Sequence, residues 1–504
     1  MSRDDQQHAI LQVSGLAADC CSLSLTMGRV DVALQQLEFG RGLILGYLID
    51  SRSDMSDLRK DCPSLADSYD TLRFRLSRTI TAEEPAIRDQ MMWERREAAR
   101  ELEHCLQRIR QQDGYSRFLL EPSVEELKKA AEEGPVIVVN ATDIGSHAII
   151  VSNSSIKAIP LPGLTALQAP LQIQRAFRKY RSINETPKLP IRDIESDIHA
   201  LDEYDTFLSW LWLSCVSVVL DELGIAQSTA ADDLPRIWWI GTGVASSLPF
   251  HAAGYHSTNP LQNTLHYCIP SYTPTIKALN YSRQCASRSA QLKAQKRSVL
   301  LVTMPETPGQ KPLYGVTRER LVIQEALGDV YSVENLEYPT AEQVVTSIKK
   351  YDIAHFACHG SSDGVNPSNS HLLLQKNDTA GLSIDPLTVS RISNEQSLGR
   401  AWIAYLSACS TAEVKAQEYA DEGLHLASAF QVAGFGHVIG SLWSADDEVC
   451  VQVARCFYRY LLSRDDAENP NRVVAEALRD AVLQIRSDFP QDPVRWGPYI
   501  HSGA

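Results

Sequence analysis

The chain has 504 residues, enough for about two to four domains and a large buried core. Its 44% apolar and 22% charged composition is that of an ordinary globular protein. A net charge of −14 argues against nucleic acid or an anionic membrane as the main partner, because both need a basic face.

The first ten residues, MSRDDQQHAI, are polar and carry no signal-peptide pattern. Residues 1–130 read as helical. Gln7–Met27 and Val30–Asp50 are two periodic apolar stretches joined at Gly28, and together they span about one tetratricopeptide unit. A single such unit cannot bury its own apolar face, so a plain helical hairpin docked on the next region is the competing reading. Ala33 and Gly42 are small enough to let helices approach closely. Asp54–Arg78 and Thr81–Asp113 continue as charged helix-forming segments, with Glu83–Arg110 mostly a solvated face.

At Gly134 the pattern changes. Pro135–Asn140 and His147–Ser152 are short β-branched runs that read as strands. Thr165–Lys179 and Asp202–Leu223 read as helices. Phe207–Leu220 is the longest apolar candidate, but Ser209, Ser214 and Ser217 interrupt it, so no run reaches the roughly 18–20 residues of a membrane span. Pro235–Gly241 is a further strand. From Ser298–Thr303 onward, strands at 330–333, 353–358, 372–374, 401–407 and 437–442 alternate with helices at 316–327, 341–349, 422–433 and 446–463. Asp385-Pro386 reads as a helix start, with a capping side chain and a proline at the first helical position. The alternation implies an α/β fold with a mainly parallel sheet covered by helices on both faces. Three regions result: 1–130, 131–295 and 296–504. The 11 cysteines are scattered, without CxxC or zinc spacing, which fits a reduced, cytoplasmic protein.

Two of the strands end in reactive residues. One is the segment Tyr351–Gly360 (YDIAHFACHG), carrying His359. The other is Ala401–Cys409 (AWIAYLSAC). Ligands bind at the carboxyl ends of parallel strands, so neighbouring strands can bring His359 and Cys409 together. The histidine precedes the cysteine by fifty residues, the order and approximate spacing found in caspases, whose local signatures do not transfer between families. The chemistry needs this pair. A thiol is mostly protonated at neutral pH, and an imidazole can take its proton and later give it to a leaving amine. Gly360 allows close backbone approach, and its N–H with that of Cys409 forms a candidate oxyanion hole. A lone cysteine is usually inert packing, the reading for Cys215, Cys358, Cys450 and Cys456. His355 points inward and reads as a satisfied core histidine. Pattern alone leaves the catalytic and packing readings of His359 and Cys409 both open.

The segments HFACHG (355–360), LSACSTA (406–412) and DEGLHLASAFQVAGFGHVIGSLWSADDE (421–448) resemble the CHAT family, caspase-like domains often fused to tetratricopeptide repeats. VTMPETPG (302–309), LPFHAAG (248–254), PVIVVN (135–140) and IPLPGLT (159–165) extend the likeness over roughly residues 130–500. The resemblance implies a Cys–His peptidase of the caspase, separase and gingipain clan, with His359 as the histidine and Cys409 as the nucleophile. It implies a degenerate caspase-like half over 131–295, with His251 structural, and a catalytic half over 296–504. Residues 1–130 then resemble the last degenerate repeat and linker before such a domain. Ser410 departs from the acidic residue that often follows the nucleophile in the family, which bears on specificity.

In a caspase-like arrangement an extended peptide lies beside the strand that follows the nucleophile strand. Ser441, Trp443 and Asp446 are therefore expected at the primary pocket, although Asp446 or Asp447 could simply cap the next helix. An acidic pocket wall implies a basic residue before the scissile bond. Loop 410–421 lacks the long linker cut in caspase zymogens, so control by a partner or by ordering of the loop is expected. The leading expectation is an endopeptidase with specific intracellular protein targets. Family analogy adds cell-death or immune-like signalling, a gasdermin-type pore former as target and a regulatory partner on the N-terminal helices. The alternative is a catalytically silent caspase-like scaffold. A small-molecule hydrolase or nucleotide-binding protein lacks its GxSxG elbow or GxxxxGK[ST] loop. The proposed chemistry requires no metal or organic cofactor, although calcium dependence occurs among relatives in the clan.

Overall fold

Val136, Ile137, Val138 and Val139 are all fully buried, as are Ile237, Trp238, Trp239 and Ile240. Successive strand residues face opposite sides of a sheet, so these unbroken apolar runs require cover on both faces. In the computed structural model the described residues are 13–50, 54–77, 85–120, 122–185, 194–228, 231–292, 296–378, 381–394, 400–408, 411–412, 421–423, 425–465 and 467–504. Their strands are β1 (Val136–Ala141), β2 (Ser146–Val151), β3 (Ile156–Pro160), β4 (Arg236–Gly241), β5 (Ile269–Tyr272), β6 (Ser298–Thr303), β7 (Ser332–Glu337), β8 (Ile353–Ala357), β9 (Gly360–Ser361), β10 (His371–Asp378), β11 (Gly381–Thr388), β12 (Ile403–Ser407), β13 (His437–Ser441) and β14 (Tyr499–Gly503).

Among these residues one sheet has the order β3-β2-β1-β4-β5-β14-β13-β12-β8-β6-β7, and β11-β10-β9 form a small second one. The large sheet is mainly parallel. Strands β7, β6, β8, β12 and β13 run parallel, as do β1, β4 and β5. Antiparallel pairs occur at β1–β2–β3 and at β13–β14. The last strand, β14, lies between β13 and β5 and joins the two parts of the sheet. This is a caspase-like α/β architecture with a helical N-terminal region.

The alternation sorts the two faces. Ile137, Val139, Ile237 and Trp239 belong to the main core, with Phe207, Leu211 and Val219. Val136, Val138, Trp238 and Ile240 face a second core, with Cys21, Leu25, Leu34 and Leu37. The helices Leu16–Thr26 and Val30–Gly40 thus dock as a hairpin on a sheet face that would otherwise meet water. Each fully buried Leu or Val there contributes about 1.5–3 kcal/mol relative to exposure. Gly40 permits the close approach, since a Cβ on it would come within 2.6 Å of the Ala17 Cβ. Helices Pro63–Ser77 and Pro85–Arg110 pack around a separate small cluster with Leu65, Tyr69 and Ile109.

Several local expectations need correction. The single helix expected over 30–50 is broken, because Arg41 is extended and Gly42 has φ +58. Asp385-Pro386 lies inside β11 and starts no helix. Asp385 does cap one, but in trans: its carboxylate accepts the Ala341 N–H at 2.7 Å. The helix expected from 422 begins at Leu426, capped by His425, and Glu422 is instead a buried carboxylate that accepts the Ile44 N–H at 2.9 Å. Strand 330–333 is displaced to 332–337. Residues 7–12 of the first expected helical stretch lie outside the described residues.

Candidate active site

Parallel pairing of β8 with β12 puts Ala357 opposite Ser407. His359 stands two residues beyond Ala357, and Cys409 is two residues beyond Ser407 in sequence. Both strands are mostly apolar (IAHFA and IAYLS) and nearly all buried, so the chain first emerges at their carboxyl ends. His359 and Gly360 are half-buried there. Cys409 and Ser410 lie outside the described residues, and so does segment 413–420 of the adjoining loop.

His359 is held from two sides. Its carbonyl accepts the Leu373 N–H at 2.9 Å, and Gly360 pairs with Leu372 as β9 meets β10. Its ring Nε2 lies 2.8 Å from the Lys311 carbonyl. A carbonyl only accepts, so Nε2 carries the hydrogen, and in the neutral ring Nδ1 has the lone pair. The Lys311 carbonyl belongs to the connection between β6 and the helix Gly315–Leu327. That connection is pinned at Met304, whose N–H reaches the Ala357 carbonyl at 2.9 Å, and at Gly315, whose N–H reaches Asp447 Oδ2 at 3.1 Å.

The residues on either side of Cys409 are tied to Ser441. Ser441 Oγ donates to the Ala408 carbonyl at 2.9 Å, its N–H donates to Thr411 Oγ1 at 3.0 Å, and its carbonyl accepts the Ala412 N–H at 2.9 Å. Gly440 leaves room for this, because a Cβ there would meet Thr411 Oγ1 at 2.9 Å.

The other expected pocket residues also have internal partners. Ser441 is 2% exposed. Trp443 is buried, its indole N–H donating to the Val494 carbonyl at 3.0 Å and its ring edge-on to Tyr204. Asp446 caps the helix Asp447–Ser463, with Oδ1 accepting from the N–H groups of Glu448 and Val449. Asp447, the neighbouring residue, lies within electrostatic reach of His359. Burial raises its pKa, Glu319 and Asp446 add to that, and the Gly315 N–H and His359 oppose it. Asp492 is likewise raised by burial, opposed by Arg495, with which it pairs at 3.0 Å, while Asp446 adds a smaller upward push.

His355 is a core histidine: Nε2 meets Glu319 at 3.1 Å, Nδ1 meets the Tyr458 hydroxyl at 3.1 Å, and the ring stacks on Tyr405. His251 is buried between the Tyr272 hydroxyl and the Gly497 carbonyl, and burial lowers its pKa to about 4. Cys215 and Cys358 are buried, and burial pushes the Cys215 thiol far up, as expected of an inert packing residue. No group of three or more His, Cys, Asp or Glu side chains suited to a metal ion occurs among the described residues. No helix among them is long and apolar enough to cross a membrane. Sequence reading missed the Lys311 carbonyl and the Asp447–Gly315 bond. Only the PETPG turn (305–309) and Gly315 hinted that this connection is built for close packing.

The chain is similar in fold to a chain of the Saccharomyces cerevisiae separase–securin complex, with a TM-score of 0.53 at 10% identity, covering 94% of this chain and 37% of that one. It thus spans little more than a third of that relative's length. A weaker likeness, with a TM-score of 0.36 at 10% identity, links it to the Arg-specific cysteine proteinase gingipain R, over 63% of this chain and 68% of that one. No curated protein matches it in sequence. The CHAT domain profile matches residues 205–504, more than half of the chain and inclusive of both strand ends described above. The chain belongs to the CHAT domain family.

Proposed function

We propose that the protein is a cysteine endopeptidase in which Cys409 is the nucleophile and His359 the proton carrier. The observation that carries this reading is the 2.8 Å bond from His359 Nε2–H to the Lys311 carbonyl, which leaves Nδ1 as the acceptor at the strand end beside β12. In the proposed mechanism Nδ1 takes the Cys409 proton and the thiolate attacks the scissile carbonyl carbon. The oxyanion faces the N–H groups of Gly360 and Cys409. The imidazolium then protonates the departing amine, and water hydrolyses the remaining thioester with the same histidine as base. Asp446 and Asp447, at the start of the helix that follows β13, support a preference for a basic residue before the scissile bond. Ser441 and Trp443 then act from behind the pocket, by fixing its walls.

The expected targets are specific intracellular proteins. A gasdermin-type pore former is the candidate suggested by family resemblance alone, together with a role in cell-death or immune-like signalling. Control by a protein partner on the N-terminal helices is supported by Arg41, which bonds Asp421 at the end of the loop that follows Cys409. The test is labelling by a peptidyl acyloxymethyl ketone bearing arginine next to the reactive group. Wild type should label at Cys409, and Cys409→Ala and His359→Ala should lose labelling by about 10²-fold or more. Labelling that survives Cys409→Ala refutes the assignment. A peptide-library profile with only apolar or acidic preference refutes the specificity.

A further inference from the structure

Asp447 occupies an unusual position for a first-turn helix residue. A carboxylate at the start of a helix ordinarily faces solvent and interacts with its own helix dipole. Here Asp447 Oδ2 crosses to a second helix and accepts the N–H of Gly315 at 3.1 Å. Gly315 opens the helix Gly315–Leu327, whose preceding residue, Tyr314, offers no side-chain cap. One carboxylate therefore serves two helix N-termini at once. The contact is tight enough to require glycine: a Cβ on residue 315 would lie 2.8 Å from the Asp447 carbonyl oxygen and 3.2 Å from its Cγ.

The same contact fixes one end of the connection that orients His359. Lys311 lies four residues before Gly315, and its carbonyl is the acceptor of His359 Nε2–H. Within the connection, the Leu313 N–H reaches the Pro305 carbonyl at 2.9 Å and the Val316 N–H reaches the Leu313 carbonyl at 3.3 Å, so displacement of Gly315 is passed back toward Lys311. Asp447 is in addition acted on electrostatically by Glu319, Asp446 and His359. Glu319 is engaged by His355, and Asp446 by its own helix N–H groups. Asp447 is left as the carboxylate whose bond reaches the histidine's support.

We infer that Asp447 is a positioning residue for His359: by accepting the Gly315 N–H it holds the connection 304–315 so that the Lys311 carbonyl fixes the imidazole tautomer and leaves Nδ1 as the nitrogen with the lone pair. This rests on the assignment of His359 and Cys409 proposed above. The role is carried by the bond to Gly315 and needs no contact with substrate.

The test is the rate of Cys409 alkylation by iodoacetamide in the purified full-length protein, followed by peptide mass spectrometry, for wild type, Asp447→Ala, Asp447→Asn and His359→Ala. Alkylation reads the thiolate, so it needs a correctly held imidazole and no knowledge of the substrate. Asp447→Ala should slow Cys409 alkylation about tenfold, approaching His359→Ala. Asp447→Asn keeps an acceptor oxygen for the Gly315 N–H and should stay within about threefold of wild type. Cys215 and Cys358, both buried, serve as internal controls, because loss of folding raises their alkylation while loss of positioning leaves it unchanged. Wild-type reactivity in Asp447→Ala, an Asp447→Asn variant no better than Asp447→Ala, or slowing accompanied by exposure of Cys215 and Cys358 overturns the proposal. A wild-type rate in His359→Ala overturns the histidine assignment itself, whereas a slow His359→Ala beside a fast Asp447→Ala overturns only the role of Asp447.

Discussion

Arg41 Nε and Asp421 Oδ1 meet at 3.1 Å across 380 residues of sequence. Arg41 is almost wholly buried, and its Nη2 also donates to the Gly241 carbonyl at 2.9 Å, at the end of β4. Asp421 receives a second bond from the Gly243 N–H at 2.9 Å, and its carbonyl accepts the Gly42 N–H at 2.8 Å. The break between two N-terminal helices is thereby fastened to the end of the loop that follows Cys409. Removing one member of a buried pair leaves the other charge uncompensated, at about 3–5 kcal/mol. Arg41→Ala should lower the unfolding free energy by that order in a urea titration. A loss below about 1 kcal/mol would show that the pair contributes no more than a surface bridge.

Ser441 holds both flanks of Cys409. Ser441→Ala keeps its two backbone bonds and loses only the hydroxyl bond to the buried Ala408 carbonyl. The expected cost is about 1–2 kcal/mol of stability, with slower probe labelling at Cys409. Thermal unfolding and labelling kinetics on the same sample check both, and unchanged labelling would remove Ser441 from the list of positioning residues.

Buried neutral histidines make the fold acid-sensitive. Burial lowers His251 and His425 to about 4 and is the main cause that lowers His256 and His437 to about 3. The unfolded chain, with histidines near 6.5, binds more protons than the folded one between these values. The histidine contribution is therefore complete above about pH 6.5 and is lost as pH falls toward 4. Buried Glu38 and Glu422, whose pKa values are raised, act in the opposite direction. A single-site comparison isolates one group: His251→Gln should flatten the dependence of unfolding free energy on pH between 6.5 and 4.5, relative to wild type. Parallel curves would contradict a buried neutral His251.

Asp385 caps the helix Ala341–Ile348 from β11 and also lies near Arg391. Asp385→Ala should cost about 1 kcal/mol, the value of a lost helix cap, measured as a shift in denaturation midpoint with unchanged slope. A neutral result would mean that Thr340, which already caps this helix through its own side chain, suffices.

Legibility in the sequence followed the range of the interaction. β1, β4, β6, β8, β12 and β13 were readable because each is a local run of β-branched or aromatic residues buried on both faces. The HG and SAC segments were readable because they stand at the ends of such runs. β14 (YIHSG) carries no strand pattern of its own, and β5 (IPSY) contains a proline. Their strand character comes from the neighbours that bracket them, β13 and β4. Asp385-Pro386 misled for the same reason: its capping oxygen serves a helix 44 residues earlier, and nothing local separates a cap in trans from one in cis.

The sequence alone therefore determined the α/β alternation, the positions of His359 and Cys409 after strand ends, and membership of the CHAT family. Those rest on periodicity and on short contiguous motifs. Tertiary structure decided the support of the site: the Lys311 carbonyl on His359, Ser441 on both flanks of Cys409, Asp447 on Gly315 and Arg41 on Asp421. Each of these bonds joins residues at least 29 positions apart, and most of their partners are backbone groups or buried charges that leave no composition or spacing to read.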